Sequence, residues 1–271
     1  MPLMIYLHPG CPAERRDVHK ATIQNITRFL NTTLRVRAIK DASVNGLQVK
    51  SRRGGEIATV GFAVDACIST FELAKKKGVE LLVVHHGIKW RPQKDVHLAR
   101  LRETYLKKNN IALYAAHLPL DLHEEFGNNA QIARLLGAAT IVKFGRYHGI
   151  KIGYAGMFRK SVRLSGIAAL LSARLKTTCR IMPFGSRRIR SLGIVSGGGG
   201  SIAPEAAATG LDCFLTGEAD LALFNAARDH RLSVIAAGHY ATETPGVRAL
   251  MRPVREAFGV STIFLDDRKD L

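Results

Sequence analysis

The chain has 271 residues, 46% of them apolar, enough for one large domain or two modest ones around a shared core. No apolar run approaches the ~18 residues of a membrane span, and the opening Met1 to Leu7 is too short for a signal peptide, so a cytoplasmic protein without a membrane partner is expected. Forty Lys and Arg against 22 Asp and Glu give a formal charge of +18, which draws a protein to polyanions such as nucleic acid or nucleotides.

The positive residues come in short clusters, Arg52-Arg53, Lys75-Lys76-Lys77 and Arg187-Arg188 with Arg190, and no single helix collects them. They form either a solvated basic surface or a nucleic-acid groove. Cys11, Cys67, Cys179 and Cys213 are scattered without metal-type spacing, so reduced thiols are expected and zinc on thiolates is disfavoured.

Residues 1–16 read as a loose extension. An amphipathic helix is predicted over 17–34, where Ile23, Ile26, Phe29 or Leu30, and Leu34 fall at helical spacing. Asn45-Gly46 marks a turn. The pattern then alternates: strand 57–64, helix 67–77 closed by Gly78, strand 81–84, helix 95–108, strand 111–115 and helix 129–136. The second half repeats the plan with strand 152–157, helix 164–175, a weaker strand 180–183 and strand 192–195. A glycine run, a helix from Pro204, strand 213–215, helix 221–228, strand 234–237, helix 247–258 and strand 262–265 follow. Strands alternating with helices imply an α/β fold of two interlinked lobes, 17–140 and 141–271, with mostly parallel sheets. The C-terminal helix is placed to pack back on the first lobe.

Polar residues stand directly after the apolar strands. Leu81 to Val84 delivers His85-His86; Ile111 to Ala116 delivers His117 and then Asp121; Val234 to Ala237 delivers His239 and then Glu243. Ligands of open parallel sheets bind at the carboxyl ends of strands, so three strands bring imidazole, and two bring carboxylate, to one rim. His239 and Glu243, four apart, share one face of a starting helical turn. Pro119 argues for a loop between His117 and Asp121. His85 and His86 would point oppositely on a regular strand, unless the strand ends there or each serves a different ion.

Five N/O ligands and a sixth candidate exceed one tetrahedral site, so a pair of divalent ions between the lobes fits the count, bridged by Glu243 or Asp121. Zn, Fe, Mn, Ni and Co all suit such donors. Singly, each residue has a plainer reading: a surface histidine, a turn cap at Asp121, a helix-start acid at Glu243. His8, His19, His97, His123, His148 and His230 lack partners at ligand spacing. Gly197 to Gly200 is either a flexible turn or a place where amides approach phosphate, and it matches no nucleotide fingerprint. Glu218 supports a ligand, carries a proton, or is an ordinary first-turn helix acid.

Six segments in order resemble the Nif-three-like proteins, known as GTP cyclohydrolase 1 type 2 homologues. They are Asn45 to Val49, Val83 to Gly87, Ala116 to Asp121, Gly127 to Asn129, Thr216 to Glu218 and Gly238 to Glu243. The resemblance runs from about residue 17 to the end. It implies a two-lobed fold with a dinuclear centre in the cleft, held by His85, His86, Asp121, His239 and Glu243 with His117 close by. It also implies a homo-oligomer, a ring-shaped hexamer of three dimers, and opening of the guanine ring of GTP at C8 with release of formate. A cationic pocket and the glycine run would hold the triphosphate. Gly87 stands where many members carry Pro, and Leu118-Pro119 replaces a frequent Thr-Asn, so the pocket wall differs.

Two functions follow. The first is a metal-dependent hydrolase acting on a nucleotide or related anion, with His117 or Glu218 moving protons. The second is a nucleic-acid-binding or regulatory adaptor with a structural metal pair, whose binding falls steeply with salt.

Overall fold

The structure, a computed structural model, describes residues 20–52 and 54–268. The predicted extension 1–16, with His8 and Cys11, lies outside the described residues, as do His19 and Arg53. The first half contains α1 (Ile23–Thr33), β1 (Gly46–Val49), β2 (Thr59–Asp65), α2 (Ile68–Lys76), β3 (Leu81–His86), α3 (Val96–Lys108), β4 (Ala112–Ala115), the single turn α4 (Leu118–Asp121) and α5 (Asn128–Leu135). The second continues with β5 (Thr140–Tyr147), β6 (Ile150–Arg163), α6 (Leu164–Leu175), β7 (Arg180–Pro183), β8 (Arg188–Val195), α7 (Ala203–Ala208), β9 (Cys213–Thr216) and α8 (Leu221–Asp229). It closes with β10 (Ser233–Ala236), α9 (His239–Ala249), α10 (Met251–Phe258) and β11 (Ser261–Phe264).

Helix α1 starts later than the spacing suggests because Thr22 caps it, its hydroxyl accepting from Asn25 N at 3.2 Å. Its buried stripe is Ile23, Ile26 and Leu30. The first sheet has the order β1-β4-β3-β2-β11, with only β1 antiparallel. Alternation along its strands feeds two cores. Val60, Phe62, Leu81, Val83 and Tyr114 face α1 and the C-terminal helices; Ala63, Leu82, Val84 and Leu113 face Phe71 of α2 and Leu106 of α3.

The second sheet has the order β5-β6-β8-β9-β10-β7. Its centre, β8-β9-β10, is parallel, while β5, β6 and β7 pair antiparallel. The mostly parallel expectation therefore describes the first sheet and the middle of the second, not its flanks. The reason is a hairpin absent from the predicted elements. His148 and Gly149 both take positive φ (46° and 84°), the two-residue turn that joins twisted antiparallel strands, and it closes β5 onto β6.

The C-terminal elements return to the first sheet. Val247, Leu250, Val254 and Phe258 share a core with Ile26, Leu30 and Leu34, and β11 pairs with β2. The predicted helix 247–258 is in fact two helices, the first starting at His239. Pro253 has no N–H to give the carbonyl of Ala249, and the chain breaks there between α9 and α10. Pro245 lies inside α9 without breaking it. The carbonyl it leaves free, that of Ala241, accepts from the Thr244 hydroxyl at 3.0 Å. No helix of the described residues is long and apolar enough to cross a membrane.

Candidate metal centre

The strand ends meet as their order suggested. His85 and His86 close β3, His117 precedes α4 and Asp121 ends it, and His239 and Glu243 lie on α9 just after β10. Pro119 does not force a loop between His117 and Asp121. It occupies the first turn of α4, where a missing N–H leaves no bond unmade. His85 and His86 both belong to the strand, yet both reach Glu243, because its two oxygens diverge. Oε1 lies 3.4 Å from His85 Nε2 and 3.1 Å from His239 Nε2, and Oε2 lies 3.3 Å from His86 Nε2. Asp121 Oδ2 is 3.6 Å from His85 Nε2. The rings of His85 and His117 are 5.0 Å apart.

All four imidazoles are held at Nδ1. His85 Nδ1 meets Ala116 O at 3.0 Å, His86 meets Asp65 at 2.8 Å, His117 meets Asp41 at 3.0 Å and His239 meets Glu218 at 2.5 Å. Nδ1–H donates to each of those acceptors, so Nε2 holds the lone pair whenever the ring is neutral, the arrangement found behind metal-ligating histidines. Two sets of ligand atoms are close enough to share an ion: His85, His86 and His117, and His86, His239 and Glu243. His117 thus belongs to one of the two groups that could share an ion. Glu218 stands one step back, against His239 Nδ1.

Further residues position this set, Asp41, Asp65 and Ser196 among them not singled out from the sequence. Asp41 also accepts from Leu118 N and Asn45 Nδ2, both at 2.9 Å. Asp121 Oδ1 accepts from Asn128 Nδ2 at 2.9 Å and from the Ser196 hydroxyl at 3.1 Å, so residues of both halves fix it. Asn128 Oδ1 in turn accepts from Gly246 N of α9 at 2.8 Å. Asp65 was findable, since it ends β2 on the same rim; Asp41 follows no strand and carried no signal.

The imidazoles and carboxylates hold one another in their charged forms. Burial alone would push the His239 imidazole down, but its hydrogen bond and ion pair with Glu243 raise it to about 9. Burial also opposes charge on His85 and His86. Asp121 and Glu243 nevertheless raise the first, and Glu243 with Asp65 raises the second. Burial favours a neutral Glu243, yet His86 and His85 hold it well below the usual carboxylate range. Burial is outweighed at Asp41 too, where His117 and then Asn45 bring it to about 2.

The residues present fit a metal on a separate ground. His85 Nε2 and Glu243 Oε2 are buried without a well-formed hydrogen bond, their nearest ion-pair neighbours standing at 3.4 and 3.3 Å, and a coordinated cation would satisfy both.

A cavity of about 430 Å³ opens on this cluster, with walls from both halves that include Trp90, Leu118, Tyr147, Ile152, Val195 and Ile202. No Lys or Arg is among its described lining residues. Lys176, Arg180 and Arg268 line a different cavity, of about 910 Å³, which also touches His239. The glycine run is a packing device at its start. Gly197 has φ +61°, and a Cβ there would lie 2.3 Å from Glu243 Oε1. Gly87 makes room for Gln48, whose Oε1 accepts from Ile88 N at 2.7 Å; a Cβ would meet that amide at 2.4 Å.

Comparison with known proteins agrees with this architecture. A relative from Pyrococcus abyssi named "GTP cyclohydrolase 1 type 2 homolog" is 44% identical over 245 residues, 90% of this chain and 97% of its own. Protein ybgI, of unknown function, superposes with a TM-score of 0.84 at 32% identity, covering 92% of this chain and 99% of its own. TTHA1606 from Thermus thermophilus does so at 0.79 and 34%, covering 92% and 99%. The Duf34/NIF3 (NGG1p interacting factor 3) family model matches residues 21–270, and the chain belongs to that family.

Proposed function

We propose that the chain is a dinuclear-metal-dependent hydrolase of the GTP cyclohydrolase 1 type 2 kind, acting on a nucleotide or a related anionic substrate. The observation that carries this reading is the engagement of four Nδ1 atoms around His85 Nε2 and Glu243 Oε2, both buried and without a well-formed hydrogen bond. His85, His86, Asp121, His239 and Glu243 are the proposed ligands, joined by His117. When bound, two divalent ions supply Lewis acidity, lowering the pKa of water and polarising the bond to be cleaved.

The chain's residues do the rest. Asp65, Asp41 and the Ala116 carbonyl accept the Nδ1–H of their histidines, which aims Nε2 inward as the lone-pair atom of the neutral ring. Glu218 orients His239 and, being exposed, can exchange a proton with solvent. The apolar walls exclude bulk water from one side of the cluster.

Elemental analysis should find close to two metals per chain, with formate released from GTP only when they are present. Full turnover by a metal-free variant combining His239→Ala and Glu243→Ala would reject the hydrolase reading. A second reading, a nucleic-acid-binding adaptor with a structural metal pair, is favoured by one observation besides the net charge. Arg28, Arg35 and Arg37 line a cavity of about 610 Å³ that no acidic side chain among the described residues lines. It requires DNA or RNA affinity that collapses between low and high salt; affinity indifferent to salt counts against it.

A further inference from the structure

A second cavity, of about 450 Å³, has Trp90 in common with the metal cleft and is otherwise built from the loop between β3 and α3 and from the start of α3. The loop is pinned along its length. The Trp90 indole N–H donates to Gly87 O at 3.0 Å, Trp90 N to Gln93 Oε1 at 2.9 Å and Arg91 N to Ala42 O at 2.7 Å. The cavity is therefore formed before anything enters it. Ile88, Trp90, Pro92 and Leu98 make much of its lining apolar. Against them stands Arg102 of α3, whose Nε is buried without a hydrogen-bond partner. The acids beside it are committed elsewhere: Glu103 pairs with Lys107 at 2.7 Å, and Asp95 caps α3 by accepting from Leu98 N at 2.8 Å. Arg91 and Lys94 line the same cavity, which gives it an excess of positive charge.

We propose that this cavity is a separate binding site for a small organic anion, an oxyanion head on a ring-sized apolar body, with Arg102 holding the head and Trp90 and Leu98 the body. The proposal stands apart from the metal-dependent reading, since none of the proposed metal ligands lines the cavity. Three physical points support it. A buried donor left unbonded is costly, and a guanidinium stays charged at any ordinary pH, so Arg102 Nε needs an acceptor and an anionic one suits it best. Carboxylate and phosphate oxygens both match the planar guanidinium fork. A volume of about 450 Å³, apolar walls and a few convergent polar groups are the usual make-up of a small-molecule site. A bare inorganic anion would leave the apolar wall uncovered, and a neutral apolar molecule would leave Nε unbonded; one molecule with both parts satisfies both. The site also adjoins the metal centre, because the indole that lines it stands edge-on to His117 at 5.1 Å.

Calorimetric titration of the full, zinc-loaded protein tests this with three probes of one shape: 2-naphthylacetate, 2-naphthylmethylphosphonate and the uncharged 2-naphthylacetamide. At least one of the two anions should bind about tenfold more tightly than the amide, and the tighter of the two identifies the head group as carboxylate or phosphate. Arg102→Gln should weaken that anion about tenfold, with amide binding and zinc content unchanged. Leu98→Trp, which fills the cavity, should weaken all three probes, and it serves as the test should Arg102→Gln fail to fold. Equal binding of anions and amide overturns the proposal. So does anion binding that both variants leave intact but that vanishes when zinc is stripped, because the metals would then be the site. Absence of binding by every probe overturns it as well.

Discussion

The two sheets contribute to the site in different ways. The parallel strands, β3 and β4 in the first sheet and β9 and β10 in the second, end in His85, His86, His117, Glu218 and His239, the groups with chemistry. The antiparallel flank of the second sheet, the β5–β6 hairpin, ends in Tyr147 and begins again near Ile152, which form wall and carry no ligand atom. Parallel neighbours start and stop at the same level, so their carboxyl ends converge; a hairpin brings a turn instead, and a turn supplies shape. The division predicts that damage to strand ends costs metal, whereas damage to the hairpin costs ligand selection alone.

The largest effect should come from Glu243, whose two oxygens face three imidazoles. Glu243→Ala should lower metal content from about two per chain to below one, read by elemental analysis. Asp65→Asn keeps the shape beside His86 but weakens the acceptor at Nδ1. Calorimetric titration with zinc should show affinity reduced about 10–100-fold. Gly197→Ala adds a methyl against Glu243 at a left-handed position, costing about 1–2 kcal/mol in backbone strain before the carboxylate is displaced. Denaturant unfolding with and without zinc should show a larger loss in the loaded protein.

A smaller effect concerns pH in the metal-free protein. His239 is raised in the folded state from an ordinary 6.5 to about 9, so its contribution to stability is complete below 6.5 and disappears as pH rises through about 9. Glu243 is depressed, so its contribution is present above its ordinary 4.5 and is lost as pH falls through its folded value. Melting of the metal-free chain should therefore be highest between these limits, and proton release on zinc uptake should decline above pH 9. Least of all, Ile152→Val on the hairpin should cost about 0.5–1.5 kcal/mol of stability and leave metal content untouched. A loss of zinc in that variant would break the division between the sheets.

The chemical half of the centre was legible because each group follows an apolar run of parallel-strand type, and position after such a run is written in the sequence. Histidines off the rim behave differently: His123 spends its ring on Thr33 O and on the amides of Glu125 and Phe126. The supporting acids were harder to see. Asp41 belongs to an irregular segment, and only the fold carries it to His117, 76 residues on in sequence. The hairpin escaped because its turn is His148-Gly149, outside the usual Asn-Gly and Asp-Gly signals. The placing of Lys176, Arg180 and Arg268 in the cavity beside His239 could not be read either, since charge counted along a chain does not say which cavity a side chain lines.

Asn128 has a consequence of its own. One end of its amide grips Asp121 and the other accepts the main-chain N–H of Gly246, where a methyl would come within 2.5 Å of the oxygen and leave no slack. Were Asp121 to take up a cation as proposed, any pull on it would be passed along this tie to the backbone of α9. Deuterium uptake at the Gly246 amide becomes a gauge of occupancy, readable at a distance and without substrate.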